Sequence, residues 1–156
     1  MRAVGVDLGE KRIGVAISDC DATLATPYEV LIRSGSREHD HAKIRAIVEE
    51  VEAELVVIGL PLSLDGTEGP AAKSARVEAG LIAEATQVPV QLQDERLTTV
   101  EAERILKEQG LDTQQRRQLI DKVAAAILLQ AWIDGQLSPI LVAIAHPLRV
   151  VTAPND

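Results

Sequence analysis

Two apolar runs separated by a short polar turn open the chain. Residues 2–8 and 12–18 read as strands, and Gly9-Glu10-Lys11 between them predicts a β-hairpin. A third strand is predicted over 27–33, ended by Ser34-Gly35-Ser36. The period then changes. Ile44, Ile47, Val48 and Val51 recur at helical spacing among charges, which predicts a helix over 38–53. Residues 55–59 (Leu-Val-Val-Ile-Gly) are continuously apolar, as in a strand buried on both faces. A Gly/Pro-rich loop leads into a predicted helix over 70–86, with Pro70 suited to its first turn and Gly80 a weak point within it. Val88, Val90 and Leu92 alternate with Pro89, Gln91 and Gln93, giving a strand over 88–93. Thr98 and Glu101 have capping-box spacing at the head of a helix over 98–109, closed by Gly110. Asp112 and Gln115 repeat that spacing before a helix over 113–134. Pro139 and Pro147 interrupt the apolar tail.

Helices between strands require crossovers, hence parallel pairing beside the antiparallel hairpin. The expected fold class is α/β, a mixed five-stranded sheet with helices on both faces. One domain over residues 1–137 and an unassigned tail over 138–156 are expected, with no internal repeat.

Composition narrows this further. With 156 residues the chain can bury one sizeable core. Aromatic content is 1%, without Phe, so the core must be aliphatic and few rings are available to stack on bases. The formal net charge of −8 argues against generic, charge-driven binding to nucleic acid. A local basic patch, with metal ions over an acidic centre, would reconcile the two. Cys20 is the single cysteine, so a disulfide framework is excluded and a buried or inert thiol in a reducing cytoplasm is expected. Met1-Arg2-Ala3-Val4 enters a strand-like run at once, unlike a signal peptide, and no apolar run is long enough to span a bilayer. No membrane partner is expected.

Three acids stand out. Asp7 ends a strand otherwise made of small and apolar residues, where a charge is costly unless paired or metal-bound; turn capping is the plain alternative. Gly5 and Gly9 flank it and leave room. In Asp94-Glu95-Arg96, alternation puts Asp94 with Val88, Val90 and Leu92, and Glu95 with Gln91 and Gln93. Glu95 is therefore the candidate ligand, while Asp94 can shape the turn. Asp121 precedes Ala124 and Ala125, whose small side chains let the last helix lie close to the sheet. A helix-start acid is the plain reading there, weakened because Gln114 to Ile120 already fill the first turns. Three hard oxygen donors from separate elements suit two divalent ions about 4 Å apart. His39 and His41 sit at a polar helix start and read as solvated; His146 lies in the tail.

With these residues identified, the chain resembles the YqgF/RuvX family of RNase H-like proteins. Four segments carry the resemblance: Gly5-Val6-Asp7-Leu8-Gly9 through Arg12-Ile13-Gly14-Val15-Ala16; Gly59-Leu60-Pro61 with Asp65-Gly66-Thr67-Glu68-Gly69-Pro70; Asp94-Glu95-Arg96-Leu97-Thr98-Thr99; and Asp121 with Ala124 and Ala125. The resemblance implies an RNase H-like fold and a metal-dependent nuclease in which Asp7, Glu95 and Asp121 are both catalytic residues and ligands of Mg²⁺ or Mn²⁺, two ions in number. It implies 5′-end processing of precursor 16S rRNA in ribosome biogenesis, or resolution of Holliday junctions in branched DNA. The chain departs from the family at Ser63-Leu64, where Asn-Met is usual, and lacks an aromatic residue usual in the helix after Pro70.

Lys11, Arg12, Lys73 and Arg96 are the candidate nucleic-acid-binding residues, with Arg116 and Arg117 as a possible extension; the plain reading of each alone is an ordinary surface charge, and Arg96 could instead pair with a neighbouring acid. The glycines of the 59–70 loop could also offer N–H groups to a phosphate; the plain reading is a flexible connection. Two other classes compete with a nuclease. An actin-like or sugar-kinase-like phosphotransferase also opens with Asp-x-Gly on a hairpin but needs two such domains. A non-catalytic nucleic-acid-binding module would have no need of all three acids. A junction resolvase would work as a homodimer, in which Trp132 and the apolar tail could take part, although core packing is the favoured reading for them.

Overall fold

The computed structural model describes residues 1–96 and 98–145. Leu97 and the end of the tail, with His146 and Pro147, lie outside the described residues. Five strands, β1 (Ala3–Leu8), β2 (Arg12–Ser18), β3 (Ala25–Ile32), β4 (Leu55–Leu60) and β5 (Val90–Asp94), form one sheet in the order β3-β2-β1-β4-β5. β2 pairs antiparallel with β1 and β3, while β1–β4 and β4–β5 are parallel. This is the expected mixed sheet.

Strand parity divides the side chains between two layers. Val4, Val6, Ile13, Val15, Val56 and Ile58 meet Ile44, Ile47, Val48 and Ile82 of α1 (Arg37–Glu50) and α2 (Pro70–Thr86). Ala3, Ala16, Leu55 and Val57 meet Ala125, Ala126, Leu129, Trp132 and Ile133 of α4 (Thr113–Ala145) on the opposite face. α3 (Thr98–Glu108) packs on α4. All six residues of β4 are buried, which is why that strand shows no alternation. Each fully buried Ile or Leu contributes roughly 1.5–3 kcal/mol, and this aliphatic core replaces the missing aromatics.

The alanines of α4 bring it against the sheet. A Cβ on Gly5 would stand 2.7 Å from Leu129 Cβ, and one on Gly14 would stand 2.0 Å from the Asp121 carbonyl oxygen. Those glycines are needed for the helix to lie where it does. Trp132 belongs to this core: it is 4% exposed, and its Nε1 donates to Gln91 Oε1 at 2.8 Å.

Several local expectations meet the structure differently. The capping box at Asp112 and Gln115 forms in full, with each side chain accepting from the other's backbone N–H at 2.9 and 2.8 Å. The last helix, expected to end at 134, continues to Ala145 past Gly135 and Pro139, so the boundary drawn at 137 falls inside α4. An interior Gly lowers helix propensity by only about 1 kcal/mol. His39 is exposed as expected, but His41 is 3% exposed, because the apolar stripe of α1 turns it towards α2. Cys20 is exposed rather than buried, beyond the end of β2. Among the described residues no helix is long and apolar enough to cross a membrane.

Candidate active site

Parity decides which acids meet. Asp7 follows Ala3 and Gly5 on the α4 side of β1, and Gly59 follows Leu55 and Val57 on the same side of β4. Gln91 shows that its parity on β5 also faces α4, and Glu95 continues that parity. Asp7 and Glu95 therefore converge at neighbouring C-terminal ends of strands. Gly59 makes the space: a Cβ there would stand 2.1 Å from Glu95 Oε2. Asp7 pairs with Gly14 across the hairpin, and Gly14 lies against the Asp121 backbone. This chain of contacts brings the third acid to the same corner.

The electrostatics are those of crowded acids. Burial raises the Asp7 pKa, the bond with Glu95 opposes that, and the charge of Asp121 raises it further. Burial, the Asp7 charge and the hydrogen bond with Asp7 push the Glu95 pKa to about 8, with a smaller contribution from Asp94. Two carboxyl groups bond to each other only with a proton between them. The pair therefore holds a proton at neutral pH when nothing else neutralises it.

Asp121 is placed differently. Its Oδ2 is buried without an aligned hydrogen bond, although Arg12 Nε stands 2.8 Å away as an ion-pair partner. Among the described residues, no three acidic, histidine or cysteine side chains are gathered closely enough, as they stand, to hold a metal ion. The site is a bonded pair with a third acid in electrostatic reach, held by Arg12. The donor chemistry fits a divalent cation. A cation would take the place of the shared proton and of Arg12, and would satisfy the unaligned oxygen.

Asp94 takes the turn-shaping role: its Oδ1 accepts from Arg96 N at 2.9 Å, and its Oδ2 from Arg96 Nε at 2.7 Å. Of the four candidate nucleic-acid contacts, Arg12 is bound to Asp121, and Arg96 to Asp94 and the Leu64 carbonyl. Lys11 lines a depression with Arg33 and Arg37. Lys73 lies exposed in the first turn of α2, near Glu68. Arg116 braces the α3–α4 connection through the Leu111 carbonyl and Thr113 Oγ1.

The 59–70 loop is closed on itself. Ser63 N donates to Thr67 O, Gly66 N to Ser63 O and Thr67 N to Asp65 Oδ1, with Gly66 at φ +87°. Those N–H groups are already used, so this part of the loop does not form a phosphate cradle.

With the geometry established, the comparisons with known proteins become specific. Residues 1–135 match the family described as "RuvX: Holliday junction resolvase". The chain belongs to the RuvX family. A relative from Anaeromyxobacter sp. (strain Fw109-5) is 48% identical over 136 residues, covering 87% of this chain and 98% of the relative. One from Pelotomaculum thermopropionicum is 43% identical over 139 residues, covering 89% and 90%. Both carry the name "Putative pre-16S rRNA nuclease". Among solved structures, Thermus thermophilus RuvC superposes with a TM-score of 0.51 at 17% identity, covering 88% of this chain and 97% of that one. RuvC in complex with a Holliday junction substrate gives 0.50 at 18%, covering 82% and 91%. At these identities the likeness shows the fold alone, and that fold is the RNase H-like one.

One part of this RuvX chain was not anticipated from sequence. Glu78 of α2 is 3% exposed and receives Arg33 Nη1 and Nη2 at 2.9 and 3.0 Å; His41 Nε2 lies 2.8 Å from its Oε2. Burial raises the Glu78 pKa, but the bonds from Arg33 and His41 outweigh this and leave it below the ordinary carboxylate value. Arg33 Nε also donates to the Gly9 carbonyl at 2.7 Å. The turn that follows Asp7 is thereby tied to α2. The available signal was Glu78 itself, a charge in the apolar stripe Ala75, Ala79 and Ile82.

Proposed function

We propose that this chain is a divalent-metal-dependent nuclease with Asp7, Glu95 and Asp121 as its catalytic acids, acting at the 5′ end of precursor 16S rRNA in the cytoplasm. The observation that carries the reading is the convergence of Asp7 and Glu95 at adjacent strand ends, in the space that Gly59 leaves open. The names of the relatives support the substrate.

Asp7 and Glu95, completed by Asp121, would hold Mg²⁺ or Mn²⁺, two ions being the arrangement that phosphodiester hydrolysis uses most often. Such ions, when bound, lower the pKa of a water and stabilise the departing oxygen. The protein supplies the rest. β1 and β5 present their acids from rigid strand ends, and burial keeps bulk water from screening them. At neutral pH the Glu95–Asp7 pair holds a proton, and its two carboxyl groups would serve as oxygen ligands of a cation once that proton is lost. Arg12 pairs with Asp121 at 2.8 Å and offsets its charge. Of the four basic residues proposed for the substrate backbone, Lys11 and Lys73 are exposed lysines, while Arg12 and Arg96 are paired with Asp121 and Asp94 and would have to be released to serve.

The family description favours a second substrate, the four-way DNA junction. That reaction requires two sites related by a two-fold axis, hence a homodimer. Cleavage assays on precursor 16S rRNA 5′ ends and on four-way junctions, side by side in Mg²⁺ and in Mn²⁺, separate the two. Cleavage at the rRNA 5′ end supports the first. Symmetric nicking of the junction alone replaces it with the second. Binding without cleavage under either metal would reduce the chain to a binding module.

A further inference from the structure

A groove of about 720 Å³ is lined by Glu95 and Gly59, by Gly9 and Pro61, and by Arg33, Arg37 and Ser74. A second depression of about 540 Å³ continues from it, sharing Glu10, Arg33 and Arg37 and adding Lys11. Together the two depressions join Glu95 to the basic side chains of Arg33, Arg37 and Lys11.

The groups along it differ in what they have left to offer. Arg33 is spent: Nε bonds Gly9 O, and both terminal nitrogens bond Glu78. Glu78 is spent on Arg33 and His41. Asp40 is 2% exposed, and its Oδ1 accepts from Ser34 N. Arg37 is not spent. Its side chain is 45% exposed, Nη2 reaches Ser74 Oγ at 3.4 Å and Glu78 Oε1 at 3.9 Å, and Nε and Nη1 have no partner among the described residues. A guanidinium with free donors, braced on one side only, suits a phosphate diester. Ala71 in the first turn of α2 lines the same groove, so the positive end of that helix faces it. Glu10 is the opposing charge, exposed at the rim of both depressions.

The geometry points to Arg37, with Lys11 beyond it, as the contact for backbone phosphates of a single nucleic-acid strand that lies in this groove with one diester beside Glu95. The assignment rests on the nuclease reading for the groove's occupant. It places the strand's main cation on α1, whereas Arg12 and Arg96 are held by acids.

The test is binding without chemistry. Fluorescence anisotropy of a short single-stranded oligoribonucleotide is measured in EDTA across a salt series, for the unaltered chain, Arg37→Gln, Arg37→Lys and Arg45→Gln. Arg45 pairs with Glu49 outside the groove and serves as the charge control. Arg37→Gln is expected to weaken binding about tenfold and to reduce the slope of log K against log salt by about 0.7. Arg37→Lys, which keeps the charge and guards against misfolding, should keep the slope while binding less tightly. An Arg37→Gln chain with unchanged affinity and slope overturns the assignment, as does an equal loss in Arg45→Gln. Because no metal is present, the result does not depend on cleavage; an inactive enzyme that still shows the Arg37 effect would fail the nuclease reading and keep this one.

Discussion

Gly59 of β4 and Glu95 beyond β5 share one small volume, with room for a single side chain: a Cβ on Gly59 would stand 2.1 Å from Glu95 Oε2 and 3.1 Å from its Cδ. Gly59→Ala should therefore move Glu95 rather than the strand, because a carboxylate end can swing aside. Cleavage is expected to fall about 100-fold. Unfolding free energy should change by less than about 1 kcal/mol. Cleavage rates and urea denaturation on the same preparation check both.

Gly14 meets a less forgiving neighbour. A Cβ there would stand 2.0 Å from the Asp121 carbonyl oxygen and 3.1 Å from Lys122 N, atoms of the α4 backbone. Helix and strand must separate. Gly14→Ala should cost about 3 kcal/mol or more, read from denaturant midpoints.

The acids set opposite pH slopes. Glu95 titrates near pH 8 in the folded chain against an ordinary 4.5, so the folded state binds more protons over that window. Without metal, stability should fall as pH rises from about 5 to 8, and Glu95→Gln should flatten the slope. Glu78 has its pKa lowered, so the stability it contributes is present above its ordinary 4.5 and is lost as pH falls through its folded value. Titration of Mg²⁺ or Mn²⁺ in buffers of different ionisation enthalpy should report release of about one proton at neutral pH.

The Arg33–Glu78 pair makes a prediction by subtraction. Glu78→Gln leaves Arg33, 18% exposed, without its charge partner and should cost about 3–5 kcal/mol. Replacing both by apolar residues should cost less than the sum of the single changes, measured as a double-mutant cycle.

The fold was legible because this chain obeys its periods. β2 and α2 match the predicted spans, and the unbroken apolar run 55–59 is the fully buried β4. Alternation along β5 separated Glu95 from Asp94, since the apolar parity serves the α1–α2 core and the polar parity serves the α4 side. Charge pairing was only partly legible. Arg96 read as a phosphate contact or as the partner of a neighbouring acid, and it pairs with Asp94; Arg12 read as a phosphate contact or an ordinary surface charge, yet it has Asp121 at 2.8 Å. His41 looked solvated because its partner Glu78 lies on another helix, 37 residues away. Such contacts depend on which helices pack together, and local spacing carries no record of that.

The most direct measurement is Mn²⁺-dependent cleavage of precursor 16S rRNA 5′ ends by the unaltered chain and by Asp7→Asn. Asp7→Asn keeps the shape of the side chain and removes the charge that a cation needs. The account predicts cleavage by the unaltered chain, abolished in Asp7→Asn with the thermal transition retained. Undiminished cleavage by Asp7→Asn would contradict it.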